Sequence, residues 1–246
     1  ATMSGEERLS VISRVISCTK HRVPVIAGTG SNSTDGAASF TRKVSELGAD
    51  GMLVVTPYYN KATQNGLYEH YRVIAAQTDQ PVIMYNVPSR TGCNLLPQTA
   101  ARIAQDCPNI VGIKEASGNL SQVAHLAKLT QGRLAIYSGN DDQIVPVLSL
   151  GGVGVISVLS NVVPKETHKM VDSFLNGDLI TARKLQLDYI DLIDALFSEV
   201  NPIPVKAAMS LLGYPVGGLR LPLTELEKEH YKELAEVMGR HHLLCE

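Results

Sequence analysis

The sequence predicts an α/β fold: a (β/α)8 barrel entered part-way round, followed by a C-terminal helical extension. Three observations predict it. Six short apolar runs, rich in β-branched residues, alternate with stretches of helical periodicity. Three successive runs begin at residues 52, 81 and 110, a spacing of 29 residues, which is the length of one strand–helix unit. From residue 176 onward only helical pattern remains. An open doubly wound sheet would also take six strands. The first element favours the barrel, because ATMSGEERLSVISRVI starts directly in a helix, with no initiating Met and no strand before it. A strand, helix and strand are expected to precede Ala1 and complete the eight. The expected domains are an N-terminally incomplete barrel over 1–175 and a helical region over 176–246.

Each element has its own signal. Residues 4–20 read as an amphipathic helix with Ser4 as N-cap, Glu6 and Glu7 in its first turn, and Leu9, Ile12, Val15 and Ile16 on its apolar face. VPVIA (23–27) reads as a strand buried on both faces. In the GTGSNST that follows, Asn32, Ser33 or Thr34 can cap a helix running to Leu47. GMLVVT (51–56) is the next strand, and PYYNKATQ is its exit loop. A helix over 65–78 follows, with Leu67, Tyr71, Ile74 and Thr78 on one stripe. PVIMYN (81–86), IVGIKE (110–115), RLAIYS (133–138) and GGVGVISVL (151–159) are strands, followed by helices over 97–106, 120–130, 142–150 and 164–175. Helices over 178–198, 202–212 and 225–240 complete the chain, the last with a Thr224–Glu227 capping box.

Composition narrows the partners. A chain of 246 residues with 44% hydrophobic and 19% charged residues can bury a full core. Its 22 basic and 24 acidic residues are interspersed, for a net charge of −2. A nucleic acid or an anionic membrane would call for a basic patch, so neither is expected as a partner. No apolar run approaches the roughly 20 residues that span a bilayer. Cys18, Cys93, Cys107 and Cys245 lie far apart without a CxxC spacing. They argue against a disulfide framework or a zinc site and suit the reducing cytoplasm.

The chemistry concentrates in 81–119. Two parallel strands there end in Tyr85 and Lys114, so both groups emerge at the C-terminal edge of the sheet. Ile110, Gly112 and Lys114 share one face, with Val111, Ile113 and Glu115 on the other, and Gly112 leaves room for a small ligand over the strand. A lysine desolvated in a barrel mouth loses its charged form more readily and can attack a ketone as the free amine. On an edge strand its head would instead snorkel to water. Tyr85 can shuttle protons beside that amine, or sit at the core rim with its hydroxyl satisfied. Arg90, in a turn bracketed by Pro88 and Gly92, can bind a carboxylate bidentately or remain a solvated loop residue. Tyr58 and Tyr59 share the same rim as interface anchors or as catalytic groups.

Other signals are weak. GTGSNS has Ser33 where a dinucleotide fingerprint needs its third glycine. Asp141 and Asp142 lack a His or third carboxylate at ligand spacing and read as helix caps. The seven histidines are scattered, His241 and His242 stand in a polar tail, and no metal is expected.

VPVIAGTG, TPYYN, YNVPSRTG, GIKEASGN, GVISV and NPIPVK, in that order along essentially the whole chain, resemble the pyruvate-dependent class I aldolases of the N-acetylneuraminate lyase family. More narrowly, they resemble its dihydrodipicolinate synthase branch. The resemblance implies a (β/α)8 barrel with a helical C-terminal extension and a homotetramer built from tight dimers. It implies no cofactor, with pyruvate and L-aspartate 4-semialdehyde as substrates. It also assigns roles. Lys114 forms the Schiff base, Tyr85 relays protons, and Tyr59 joins the relay of a partner subunit. Arg90 receives the semialdehyde carboxylate, and sibling sugar-acid aldolases lack that arginine. Gly139 and Ile156 line the pyruvate pocket through their backbones.

Two departures accompany it. The family's GTTGE segment, whose threonines bind the pyruvate carboxylate and complete the relay, is expected before Ala1, with the first strand, first helix and most of the second strand. At the lysine-feedback site, Asn32 and Tyr58 match, but Gly5, Arg8 and Gly36 replace two histidines and a glutamate. Weak or absent lysine inhibition is therefore expected.

Overall fold

Each apolar run contributes a strand, and the strands pair in the order in which the chain makes them. The structure is a computed structural model that describes residues 2–244; the expectation for Cys245 lies outside the described residues. In chain order the elements are α1 (Gly5–Thr19), β1 (Ile26–Gly28), α2 (Thr34–Glu46), β2 (Gly51–Val55), α3 (Gln64–Ala75), β3 (Val82–Asn86), and the one-turn α4 (Pro88–Thr91). They continue with α5 (Pro97–Asp106), β4 (Ile110–Glu115), α6 (Leu120–Thr130), β5 (Ala135–Ser138), α7 (Ile144–Ser149) and β6 (Gly154–Val155). The helices α8 (Pro164–Leu175), α9 (Leu179–Asp188), α10 (Ile190–Leu196), α11 (Ile203–Leu211) and α12 (Lys228–Arg240) follow. The sheet runs β1-β2-β3-β4-β5-β6, and each pairing from β1 to β5 is parallel.

The chain forms two compact units. The first holds Met3–Gly139 and Ser149–Gly154. Its core is the covered face of the sheet, where Met52, Val54, Val82, Met84, Ile113 and Ile136 are at most 2% exposed. Leu67, Tyr71 and Ile74 of α3, Ile103 of α5 and Leu126 of α6 are equally buried. They come from the apolar stripes that the helical period placed on one side. The Tyr71 hydroxyl donates to the Val54 carbonyl (3.0 Å), and burial pushes its pKa upward. In the second unit, Leu159, Leu192, Leu196, Ala208, Leu234 and Met238 form the core, drawn from α10, α11, α12 and the turn after β6.

Helix starts follow the cap chemistry. Ser4 accepts from the Glu7 N–H (3.2 Å) while Glu7 accepts from the Ser4 N–H (2.8 Å), a full capping box. Ser33 is the cap chosen for α2. The Thr224–Glu227 box does not form. α12 begins at Lys228 without a side-chain cap, because the Glu227 N–H donates to Glu199 Oε1 (3.0 Å) instead. The helix expected over 178–198 breaks at Tyr189 into α9 and α10.

β1 departs from the double burial expected of VPVIA. Ile26 is 47% exposed and Val23 is 60% exposed, since among the described residues β1 has a strand partner on one side only. β4 carries one surplus residue: Val82 faces Ile110, but Ile83 faces Gly112. Val111 bulges out, 40% exposed, and does not join Ile113 and Glu115 in the core.

One core residue is expected to make the unit acid-sensitive. His70 is 4% exposed; its Nδ1 meets Thr34 Oγ1 at 2.9 Å, and its Nε2 has no partner among the described residues. Burial lowers its pKa from 6.5 to about 4. A depressed histidine stabilises the fold fully above the unfolded pKa, and that contribution is lost as pH falls from 6.5 toward 4. His70→Gln should flatten the urea-derived stability profile over that interval by on the order of 3 kcal/mol. An unchanged slope would show that His70 does not carry the acid sensitivity.

Candidate active site

Parallel pairing sets the site. Tyr85 on β3 and Lys114 on β4 are register partners, and Lys114 faces Tyr137 on β5 in turn. Alternation points Tyr85, Lys114 and Tyr137 to the half-open face of the sheet, opposite the helix-covered core. Lys114 Nζ stands 4.4 Å from the centroid of the Tyr85 ring. Burial raises the Tyr85 phenol pKa, and the positive charge of Arg90 opposes that rise. The phenol therefore stays protonated and able to donate beside an amine.

Two glycines shape the surroundings of Lys114. A Cβ on Gly139 would fall 2.5 Å from Ala116 Cβ and 3.0 Å from Lys114 Cε, so only glycine fits against the lysine stem there. The Gly139 N–H donates to the Glu115 carbonyl (2.8 Å). Gly112 differs from expectation. A Cβ there would meet the Ala135 carbonyl oxygen at 3.1 Å and Tyr137 Cε2 at 3.3 Å, so this glycine makes room for the neighbouring strand β5 rather than for a ligand. The chemistry of the run IVGIKE gave no sign of Tyr137, which lies on the next strand.

Arg90 sits in α4, closed by Gly92 at φ 68, whose N–H bonds the Pro88 carbonyl (2.9 Å). Gly28, Gly30, Tyr58, Tyr85, Arg90 and Thr91 border a cleft of about 350 Å³. Phenol and guanidinium thus share one opening. Tyr59 is 90% exposed and holds φ 73, an uncommon angle for a tyrosine; its N–H donates to the Thr91 carbonyl (3.2 Å). Ile156 belongs to the second unit, directly after β6, and is partly exposed.

Around the expected feedback site, the Asn32 carbonyl accepts from Asn60 Nδ2 (2.9 Å). The Arg8 guanidinium stacks over Phe40 at 3.9 Å and donates to the Gly28 carbonyl (3.1 Å). Burial lowers its pKa, with Tyr58 opposing.

Asp141 does cap, but on another element. Its Oδ2 accepts from the Val158 and Leu159 N–H groups (both 2.9 Å), holding the turn after β6. Asp142 has its pKa raised by burial and by Asp141 and Asp194. The His pair is not an idle tail: His241 stacks on Tyr189 at 4.8 Å and bonds Asp191 (2.8 Å). Among the described residues, Glu199, Glu227 and His230 bring potential metal ligands together. His230 Nδ1 already bonds Glu199 at 2.7 Å, which raises the histidine's pKa and accounts for the cluster as a brace at the start of α12.

Sequence reasoning missed one group. On the covered side of the strands, Asn86 faces Glu115, and with Asn94 and Gln122 they form a closed polar ring. The one available signal was an acidic residue at a strand position whose neighbours are buried.

The comparisons with known proteins converge. The profile of the dihydrodipicolinate synthetase family matches residues 1–240. A 4-hydroxy-tetrahydrodipicolinate synthase of Lachnoclostridium phytofermentans is 57% identical over 240 residues, covering 98% of this chain and 82% of that protein. Its counterpart in Caldicellulosiruptor bescii is 54% identical over 238 residues, covering 97% and 80%. The crystal structure of dihydrodipicolinate synthase from Thermotoga maritima superposes with a TM-score of 0.96 at 44% identity, covering 99% of this chain and 83% of that one.

Proposed function

The chain belongs to the dihydrodipicolinate synthetase family, and from that premise we propose that it condenses pyruvate with L-aspartate 4-semialdehyde to give 4-hydroxy-tetrahydrodipicolinate. The observation that carries the reading is the register pair Tyr85–Lys114, with Lys114 Nζ 4.4 Å from the phenol ring. The Lys114 amine adds to the keto carbon of pyruvate, and the carbinolamine loses water to an imine. Loss of a methyl proton gives the enamine, whose carbon attacks the aldehyde. The amino group of the semialdehyde then displaces Lys114 at the imine carbon and closes the ring, so one water is released overall. Tyr85 moves protons at the carbinolamine and enamine steps.

Arg90 receives the carboxylate of the semialdehyde, supported by its place on the cleft that Tyr85 also borders. Gly139 lines the pyruvate site, supported by its close approach to the Lys114 stem. Tyr59 reaches the site of a partner subunit in a homotetramer, supported by its exposure and its fixed, left-handed backbone. For the fold the reading is an N-terminally incomplete (β/α)8 barrel over 1–175 with helices over 176–246, supported by six strands in sequential order. A cytoplasmic setting is supported by thiols that are free at Cys18, Cys93 and Cys107. No helix among the described residues is long and apolar enough to cross a membrane.

The test is turnover of L-aspartate 4-semialdehyde against N-acetylneuraminate with equal enzyme. The expected result is activity on the semialdehyde only, unchanged by sub-millimolar L-lysine because Gly5, Arg8 and Gly36 stand where lysine-inhibited members carry two histidines and a glutamate. Preference for the sugar acid would move the chain to the sibling branch. Strong lysine inhibition would overturn the feedback reading drawn from Gly5, Arg8 and Gly36.

A further inference from the structure

The chemistry above leaves one buried group unused. Glu115 is 4% exposed, and its carboxylate accepts from three donor groups in four contacts. Asn86 Nδ2 donates to both oxygens (3.2 and 3.1 Å), Gln122 Nε2 to Oε2 (3.2 Å), and the Ser117 N–H to Oε1 (2.8 Å). The same amides close on Asn94, which accepts from Asn86 (2.9 Å) and Gln122 (3.2 Å) and donates to Gln122 Oε1 (2.9 Å). The Asn86 side-chain oxygen Oδ1 accepts from the Leu95 N–H (2.9 Å). One carboxylate thereby ties the ends of β3 and β4 to α6 and to the far end of the 87–95 segment that carries Arg90.

Asn86 and Glu115 are the register pair directly after Tyr85 and Lys114. Successive strand residues point to opposite faces, so the contact that fixes Asn86 against Glu115 fixes phenol against amine on the other side. We infer that Glu115, acting through Asn86, Asn94 and Gln122, is a positioning residue: it sets the spacing of Tyr85 and Lys114 and holds the Arg90 turn in place. An apolar pair could also join two strands. A carboxylate met by three donor groups adds direction, because any other arrangement leaves a buried N–H unpaired. The inference rests on the function proposed above and names the residue that prepares its site.

The test compares the full chain with Glu115→Gln, which keeps the side-chain shape but turns an NH2 toward the converging donors. Borohydride trapping of pyruvate on Lys114 is timed across pH, and KM and kcat are measured for both substrates. Glu115→Gln should trap pyruvate about 10- to 100-fold more slowly and raise KM for the semialdehyde. Glu115→Gln combined with Gln122→Glu, which exchanges acid and amide, should restore trapping to within a few-fold. Should Glu115→Gln fail to fold, Gln122→Leu removes one donor to the carboxylate together with the acceptor of Asn94 Nδ2 and should give the same pattern at smaller size. A folded Glu115→Gln (or Gln122→Leu) that loses thermal stability alone, with trapping and KM unchanged, overturns the inference. So does an exchange variant that regains stability but not trapping. A wild-type chain that traps no pyruvate overturns the proposed function with it, whereas a wild-type adduct beside an unaffected variant overturns this inference alone.

Discussion

Borohydride added with pyruvate leaves a reduced pyruvyl adduct on the wild-type chain, and Lys114→Ala leaves none by intact mass. The same substitution lowers kcat/KM by roughly 10⁴-fold or more, since no other amine shares the register position opposite Tyr85. Lys114→Arg gives the same loss despite keeping a cation, because a guanidinium does not deprotonate to a nucleophile. The loss is chemical rather than structural. Lys114 lies on the half-open side of β4, while the neighbours that hold the strand, Ile113 and Glu115, are buried on the other. An adduct that persists in Lys114→Ala would place the Schiff base on another lysine and remove the mechanism.

Arg90→Ala separates the two substrates. Pyruvate trapping on Lys114 should stay within a few-fold of wild type, while kcat/KM for the semialdehyde falls by about 100-fold, the worth of a bidentate charge-assisted pair. Arg90→Lys should recover part of the loss, since it returns the charge but not the planar fork. α4 is held by backbone bonds, from Gly92 N–H to the Pro88 carbonyl and from Thr91 N–H to the Val87 carbonyl, so the side chain can be removed without unmaking the turn. Equal losses for both substrates would assign Arg90 to the fold of the cleft instead of to recognition.

These predictions trace back to residues legible in the sequence for different reasons. Tyr85 and Lys114 were legible because two periodicities locate them: alternation along a strand and the repeat of the strand–helix unit. Arg90 was legible from Pro88 and Gly92, whose backbone preferences make the turn. The Glu115 ring was not, because Asn86, Asn94 and Gln122 come together only after the 87–95 segment and α6 have folded. The exposure of Ile26 was missed for a related reason. An apolar run reports what a strand can bury, and the neighbours it pairs with decide what it does bury. The cap of α12 failed because a partner distant in sequence, Glu199, took the N–H that Thr224 was expected to serve.

The bulge at Val111 bears on how the reactive pair arises at all. Val82 faces Ile110 across a gap of 28 positions, and after the surplus residue every partner lies 29 apart. At the shorter offset Tyr85 would look across at Ile113, an aliphatic group turned into the core, and the lysine would stand beside Asn86. A single unpaired residue on one strand thus decides whether phenol and amine are neighbours. The length of this stretch is as much a part of the catalyst's inheritance as the identity of its lysine, and a one-residue insertion or deletion there would silence the chemistry while leaving every reactive side chain in the gene.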